Sequence, residues 1–95
     1  MAYRQASTKA AVTYSLNTSL YGGDATITVV GALDTGEVIS FKCPADNSNA
    51  AETDLYVEGQ KVEITPTNSM VRITGNTIVT IRKGVTADEV GFRIA

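Results

Sequence analysis

Met70-Val-Arg-Ile-Thr-Gly-Asn-Thr-Ile-Val-Thr-Ile-Arg-Lys83 is the stretch on which the fold class turns. Two short runs rich in β-branched residues flank Gly75-Asn76, the pair best able to take the positive φ that a tight reversal requires. The stretch predicts a β-hairpin, and its register follows from the side-chain period of two. A two-residue loop would set Ile73 opposite Ile78 and Arg72 opposite Val79, mixing apolar and charged side chains on both faces. A three-residue loop, Thr74-Gly75-Asn76 with Asn76 left-handed, gathers Val71, Ile73, Val79 and Ile81 on one face and Arg72, Thr80 and Arg82 on the other. The odd loop is the expectation, because a one-residue slip moves four large aliphatics into water at roughly 1.5–3 kcal/mol each. One dry face and one wet face follow, and Ile78 then points outward beside the turn.

Composition narrows the function classes. At 95 residues the chain is read as one domain, large enough for a modest core without disulfides or metals. A formal net charge of -2 supplies no global field for nucleic acid or an anionic membrane, and neither is an expected partner. Charge is unevenly spread: the first eleven residues carry Arg4 and Lys9 and no acid, whereas Asp46, Glu52, Asp54, Glu58 and Glu63 stand against Lys61 alone. The single Cys43 has no internal disulfide partner, and without histidine the usual Cys/His zinc sites and histidine general-base catalysis are excluded. No cofactor and no metal are expected. No apolar run approaches the roughly 18 residues of a membrane helix, and Met1-Ala-Tyr-Arg-Gln-Ala-Ser-Thr lacks the apolar stretch of a signal peptide. Synthesis in a cytoplasm is the expectation.

Residues 1 to 10 are small and polar apart from Tyr3, and read as a flexible N-terminal arm before a single domain at 11–95. The arm is either a frayed end or a segment that orders on a neighbouring subunit. Val12-Thr-Tyr-Ser-Leu16 alternates as a first strand, and Gly22-Gly23-Asp24 breaks the chain after it. Ala25 to Ala32 and Glu37 to Cys43 predict a second hairpin across Leu33-Asp-Thr-Gly36, with Ile27, Val29, Ile39, Phe41 and Cys43 inward. Pro44 to Asp54 reads as a surface loop with room for a helical turn through Asn49-Ala-Ala-Glu52. Its oxygens fail the alternating Asp/Asn pattern of an EF-hand calcium loop. Short strands follow at Leu55-Tyr-Val57 and Val62-Glu-Ile64, and Pro66 ends the second. Thr86-Ala-Asp-Glu89 has capping-box spacing with room for one helical turn, before Val90, Phe92 and Ile94 alternate as a last strand. About seven to eight short strands at close spacing predict an all-β fold, an antiparallel β-sandwich or small barrel.

Three constellations invite chemistry. Asp34-Thr35-Gly36 matches the tripeptide of aspartic proteases, and the chain length resembles the viral homodimeric kind, in which two subunits share a proton between paired carboxylates. Glu37 stands where that family has a small residue, and Asp-Thr-Gly is equally good turn chemistry. Arg72, Arg82, Lys83 and Arg93 could line one wet face, but a single-strand nucleic-acid platform needs aromatics between the cations, and none lies between Arg72 and Lys83. Cys43 has no neighbouring base to activate it and reads as a small core or edge residue. Ile78, Val30 and Val38 fall out of phase with their inward neighbours; if they cluster, they mark a subunit or partner surface.

The polar start Met1-Ala-Tyr-Arg-Gln-Ala, the Gly/Thr/Val-rich strands and the ending Ile81-Arg-Lys-Gly-Val-Thr-Ala-Asp-Glu-Val-Gly-Phe-Arg-Ile94 give the whole chain a further likeness. It resembles the small all-β structural proteins of tailed-phage virions, the capsid decoration or cement proteins and the head or tail accessory proteins. The resemblance implies a non-enzymatic protein that assembles as a homo-oligomer on a larger shell, with partners such as a major capsid protein. It implies residence in the virion after synthesis in the cytoplasm of a bacterial host. Tyr3, Arg4, Lys9 and Ile78 are then the expected contact residues. The alternatives are a homodimeric aspartic protease using Asp34, and a small module that binds a host protein.

Overall fold

Successive side chains of a strand point to opposite faces of its sheet, so the alternating segments of this chain each have one side to bury. A computed structural model describes residues 2–43 and 52–95; the expected loop at 44–51, with its helical turn, lies outside the described residues. The described residues form an all-β fold of eleven strands, more and shorter than anticipated. Strands β1 (Tyr3–Thr8), β11 (Val90–Ile94), β3 (Asp24–Val30) and β9 (Met70–Thr74) lie side by side in that order as an antiparallel sheet. A second sheet runs β2 (Val12–Asn17), β10 (Ile78–Lys83), β4 (Ile39–Cys43), β5 (Thr53–Asp54), with β8 (Glu63–Ile64) also against β4. Strands β6 (Tyr56–Val57) and β7 (Gln60–Lys61) pair only with each other.

The inward faces of the two larger sheets meet in one core. Ile27, Ile73, Phe92 and Ile94 come from the first sheet, and Leu16, Phe41, Val79 and Ile81 from the second. Each is almost wholly removed from water, a gain of roughly 1.5–3 kcal/mol apiece.

The segment at 70–83 is not a hairpin. Val71, Ile73, Val79 and Ile81 are the buried set and Arg72 and Arg82 are exposed, yet the two strands do not pair. Ile73 lies opposite Ala25 of β3, whereas Ile81 lies opposite Tyr14 of β2 and Phe41 of β4. Residues 75–77 therefore lead from one sheet to the other as an arch. Gly75 takes the positive φ of 91°, and Asn76 is not left-handed. The arch is held from outside: the buried Thr18 hydroxyl accepts the Thr77 amide at 2.8 Å and directs its proton at the carbonyls of Gly75 (2.7 Å) and Thr77 (3.0 Å). The expected hairpin across 33–36 is a second arch, because β3 pairs with β11 and β9 while β4 pairs with strands of the other sheet.

The expected arm is also different. Tyr3–Thr8 is edge strand β1, paired with β11 through Tyr3 to Ile94, Arg4 to Arg93 and Gln5 to Phe92, with a register shift before Thr8. Two features seat it. The Tyr3 ring stacks on Tyr14 of the opposite sheet, centroids 4.1 Å apart and planes 19° from parallel, beside Phe92, a contact of about 0.5–1.5 kcal/mol beyond area burial. At the register shift the backbone of β1 passes so close to Gly91 that a Cβ there would stand 2.3 Å from the Gln5 carbonyl oxygen. Thr86-Ala-Asp-Glu89 forms no helix; the Thr86 hydroxyl instead donates to the Asp88 carbonyl at 2.8 Å.

Candidate docking surfaces

Ion pairing shows which charges the fold has already used. Lys42 pairs with Asp54; Lys61 reaches Asp54 at 3.5 Å and Glu63 at 3.6 Å; Arg82 grips both oxygens of Glu52 at 2.9 and 2.7 Å; and Arg72 grips both oxygens of Asp24. The guanidinium hydrogen bonds hold Asp24 and Glu52 below the usual carboxylate range, and the Lys42 ammonium does the same for Asp54. The cations expected on one wet face are divided. Arg72 and Arg93 belong to the first sheet and Arg82 to the second, while Lys83 is 2% exposed with its ammonium donating to the carbonyls of Ala10 (2.8 Å) and Gly84 (3.1 Å). The strand period was the one signal for that burial, since Lys83 continues the inward phase of Val79 and Ile81, and the residue type hid it because such a position is normally apolar.

Asp34-Thr35-Gly36 lies in the second arch. The Glu37 amide donates to the Asp34 carbonyl at 3.0 Å, closing a turn, and the Glu37 carboxylate accepts the amides of Asp34 and Ala87, each at 2.8 Å. Those two amides hold the Glu37 carboxyl below its ordinary range. Asp34 is pushed the other way, chiefly by the negative charge of Asp88, then by desolvation and Glu37. The residue after the tripeptide, a departure from the protease pattern, is thus the one that fastens this arch to the loop at 84–89. Among the described residues no group of three or more acids, cysteines or histidines is arranged to hold a metal ion, and no helix is long and apolar enough to cross a membrane.

Exposed aliphatics stand at both ends of β10. Ile78, 50% exposed, begins the strand opposite Asn17, and Leu20, 55% exposed, follows one turn beyond Asn17 in the short 3-10 segment Thr18–Tyr21. At the far end Val85, 78% exposed, follows Lys83, and Val38, 37% exposed, precedes Ile39, the partner of Lys83. Val38 and Val85 share one cleft. The structure therefore separates Ile78 from Val38 by the length of the strand, and Val30 is half-buried. Leu20 and Val85 were missed in sequence; the signal for Val85 was its place after Gly84, past the strand's end.

The outer face of the first sheet carries the other surface feature. Arg4 and Arg93 lie directly opposite each other, both exposed, over a groove of about 380 Å³ that the hydroxyl residues Thr26 and Thr28 also line. Tyr3 contributes to the same groove, but its ring is half-buried against Tyr14, so it is a core-edge residue more than a free contact. Lys9 is exposed just past β1, where its carbonyl accepts the Thr86 amide at 3.0 Å. Comparison with known protein families, curated proteins and solved structures finds no match to this chain.

Proposed function

We propose that the chain is a non-enzymatic structural protein that works by assembly with other protein copies, in the setting of the tailed-phage virion proteins it resembles. The observation that supports this reading is the placement of exposed aliphatics at the two ends of one interior strand: Ile78, with Leu20 three residues beyond its partner Asn17, at one end, and Val38 and Val85, which line one cleft, at the other. Scattered exposed aliphatics are ordinary on a monomer, but aliphatics at both ends of one strand suit a block that is contacted end-on. Against a homodimeric protease stands the use of Asp34 and Glu37 as the hydrogen-bonded turn of an arch. Decoration or accessory protein is the specific role the resemblance suggests, with a major capsid protein as the shell partner.

Methyl chemical shifts followed through a dilution series test the end-on contact. Shifts confined to Leu20, Ile78, Val38 and Val85 support it; methyl signals that stay fixed while the mass stays at 10.0 kDa overturn it. Antibody labelling of purified phage particles from the source culture tests the setting separately. Labelled heads or tails support the virion role, and label found only on soluble protein removes it.

A further inference from the structure

We propose that the outer face of the first sheet, centred on the Arg4–Arg93 pair, is a docking surface for a second copy of this chain, which meets it with the acidic loops at 31–38 and 84–89. The inference rests on the assembly reading above and gives it a specific contact, one that takes in the apolar end at Val38 and Val85 and leaves out the end at Leu20 and Ile78.

Like charges directly opposite across two strands repel, and a fold normally avoids them or sets an acid nearby. Among the described residues Arg4 and Arg93 have neither remedy: no carboxylate lies within ion-pair distance of either, although Lys42, Lys61, Arg72 and Arg82 are all matched. Arginine on an edge strand has a defensive use, discouraging stray strand pairing. That accounts for Arg4 on β1. It does not account for Arg93, which sits on an interior strand with neighbours on both sides.

The complementary surface is on the same chain. Of the five described acids that take no cation, Glu58 lies apart in the turn between β6 and β7, and Asp34, Glu37, Asp88 and Glu89 lie in the two loops that Glu37 fastens together through the Ala87 amide. These carboxylates are crowded by their own kind, as the upward push of Asp88 on Asp34 records. Each patch is therefore electrostatically unfavourable alone and favourable against the other. The spacing suits a two-fold contact: Glu89, the residue just before β11, precedes Arg93 by four residues, about 13 Å of extended chain. Two copies placed antiparallel bring each arginine pair to the other's acidic loops, the self-matching arrangement of a closed dimer. Guanidinium forks bind carboxylates in two-point fashion, and the threonines of the groove supply hydroxyls beside them.

Charge reversal with mixing tests this. Sedimentation velocity is run on the unmodified chain, on Arg4→Glu/Arg93→Glu and on Asp88→Lys/Glu89→Lys, each checked for an unchanged circular dichroism spectrum. The expected result is a dimer of twice 10.0 kDa for the unmodified chain, monomer for each reversed variant, and dimer again when the two variants are mixed one to one. The milder Arg4→Gln/Arg93→Gln variant is expected to weaken dimerisation about tenfold or more, and raising salt from about 0.05 to 0.5 M is expected to dissociate the unmodified dimer. Reversed variants that keep the unmodified mass overturn the proposal while leaving assembly through the apolar ends standing. A mixture that stays monomeric, or an unmodified chain that shows no dimer, overturns it as well; particle labelling then judges the virion role independently.

Discussion

The Lys83 ammonium donates to the carbonyl of Ala10, 73 residues earlier in the chain, at 2.8 Å. With its second bond to the Gly84 carbonyl it ties the turn before β2 to the loop after β10. Replacing Lys83 by Met keeps the buried stem and strands both carbonyls, so a loss of about 1–3 kcal/mol is expected in urea unfolding. Burial holds the Lys83 ammonium below its ordinary range. The unfolded chain then binds more protons between the lowered value and 10.5, so Lys83 contributes more stability as pH rises through that window. The stability difference between the unmodified chain and Lys83→Met should grow from pH 8 to about 10; a difference that shrinks would show that the ammonium is not penalised by burial.

Thr18 makes a sharper test of the arch. Thr18→Val preserves shape while removing the acceptor of the Thr77 amide and the donor to the Gly75 and Thr77 carbonyls. A loss of about 1–3 kcal/mol is expected, with Thr18→Ser closer to the unmodified chain. Equal stability of the Val and Ser variants would mean that the hydroxyl does not hold the arch.

The Glu37 carboxylate predicts a pH effect of the same sign as that of Lys83, displaced to the acid range. Its carboxyl is held below 4.5 by the amides of Asp34 and Ala87, so its contribution is fully present above 4.5 and is lost as pH falls through the lowered value. Asp34, pushed upward by Asp88, takes up its proton more readily folded, and its contribution is lost as pH rises through that raised value. Glu37→Gln should therefore flatten the fall of melting temperature between neutral pH and about pH 3. A fall as steep as that of the unmodified chain would contradict the assigned bonds.

Gly91 is where the edge strand depends on the absence of a side chain. A Cβ would stand 2.3 Å from the Gln5 carbonyl oxygen and 3.0 Å from the Ser7 nitrogen, both backbone atoms. Gly91→Ala is expected to lower stability by about 1–3 kcal/mol and to remove hydrogen-exchange protection from β1 while β2 and β10 keep theirs. Unchanged protection of residues 3–8 would mean that β1 is not seated on β11.

How far the sequence could lead is seen at Ile73 and Val79. Alternation showed that both are inward, and they are. It could not show that they belong to facing sheets, because a hairpin and an arch bury the same residues. The difference lies in backbone bonds, and the partner that decides it, Thr18, is distant in sequence and ordinary in type. Tyr3 was expected as a contact residue of the arm, and its place at the edge of the core was illegible for a similar reason: its stacking partner Tyr14 belongs to another strand of another sheet. Of the expected contact residues, Ile78 is exposed, and Arg4 gains meaning only through Arg93, a pairing that depends on register between the two ends of the chain.

Assembly is the claim on which the functional account rests, and the mass of the full chain by light scattering across a concentration series tests it most directly. A discrete species heavier than 10.0 kDa that dissociates on dilution is the result expected. A mass fixed at 10.0 kDa up to the highest attainable concentration would contradict self-assembly and leave a monomer that docks on a different protein.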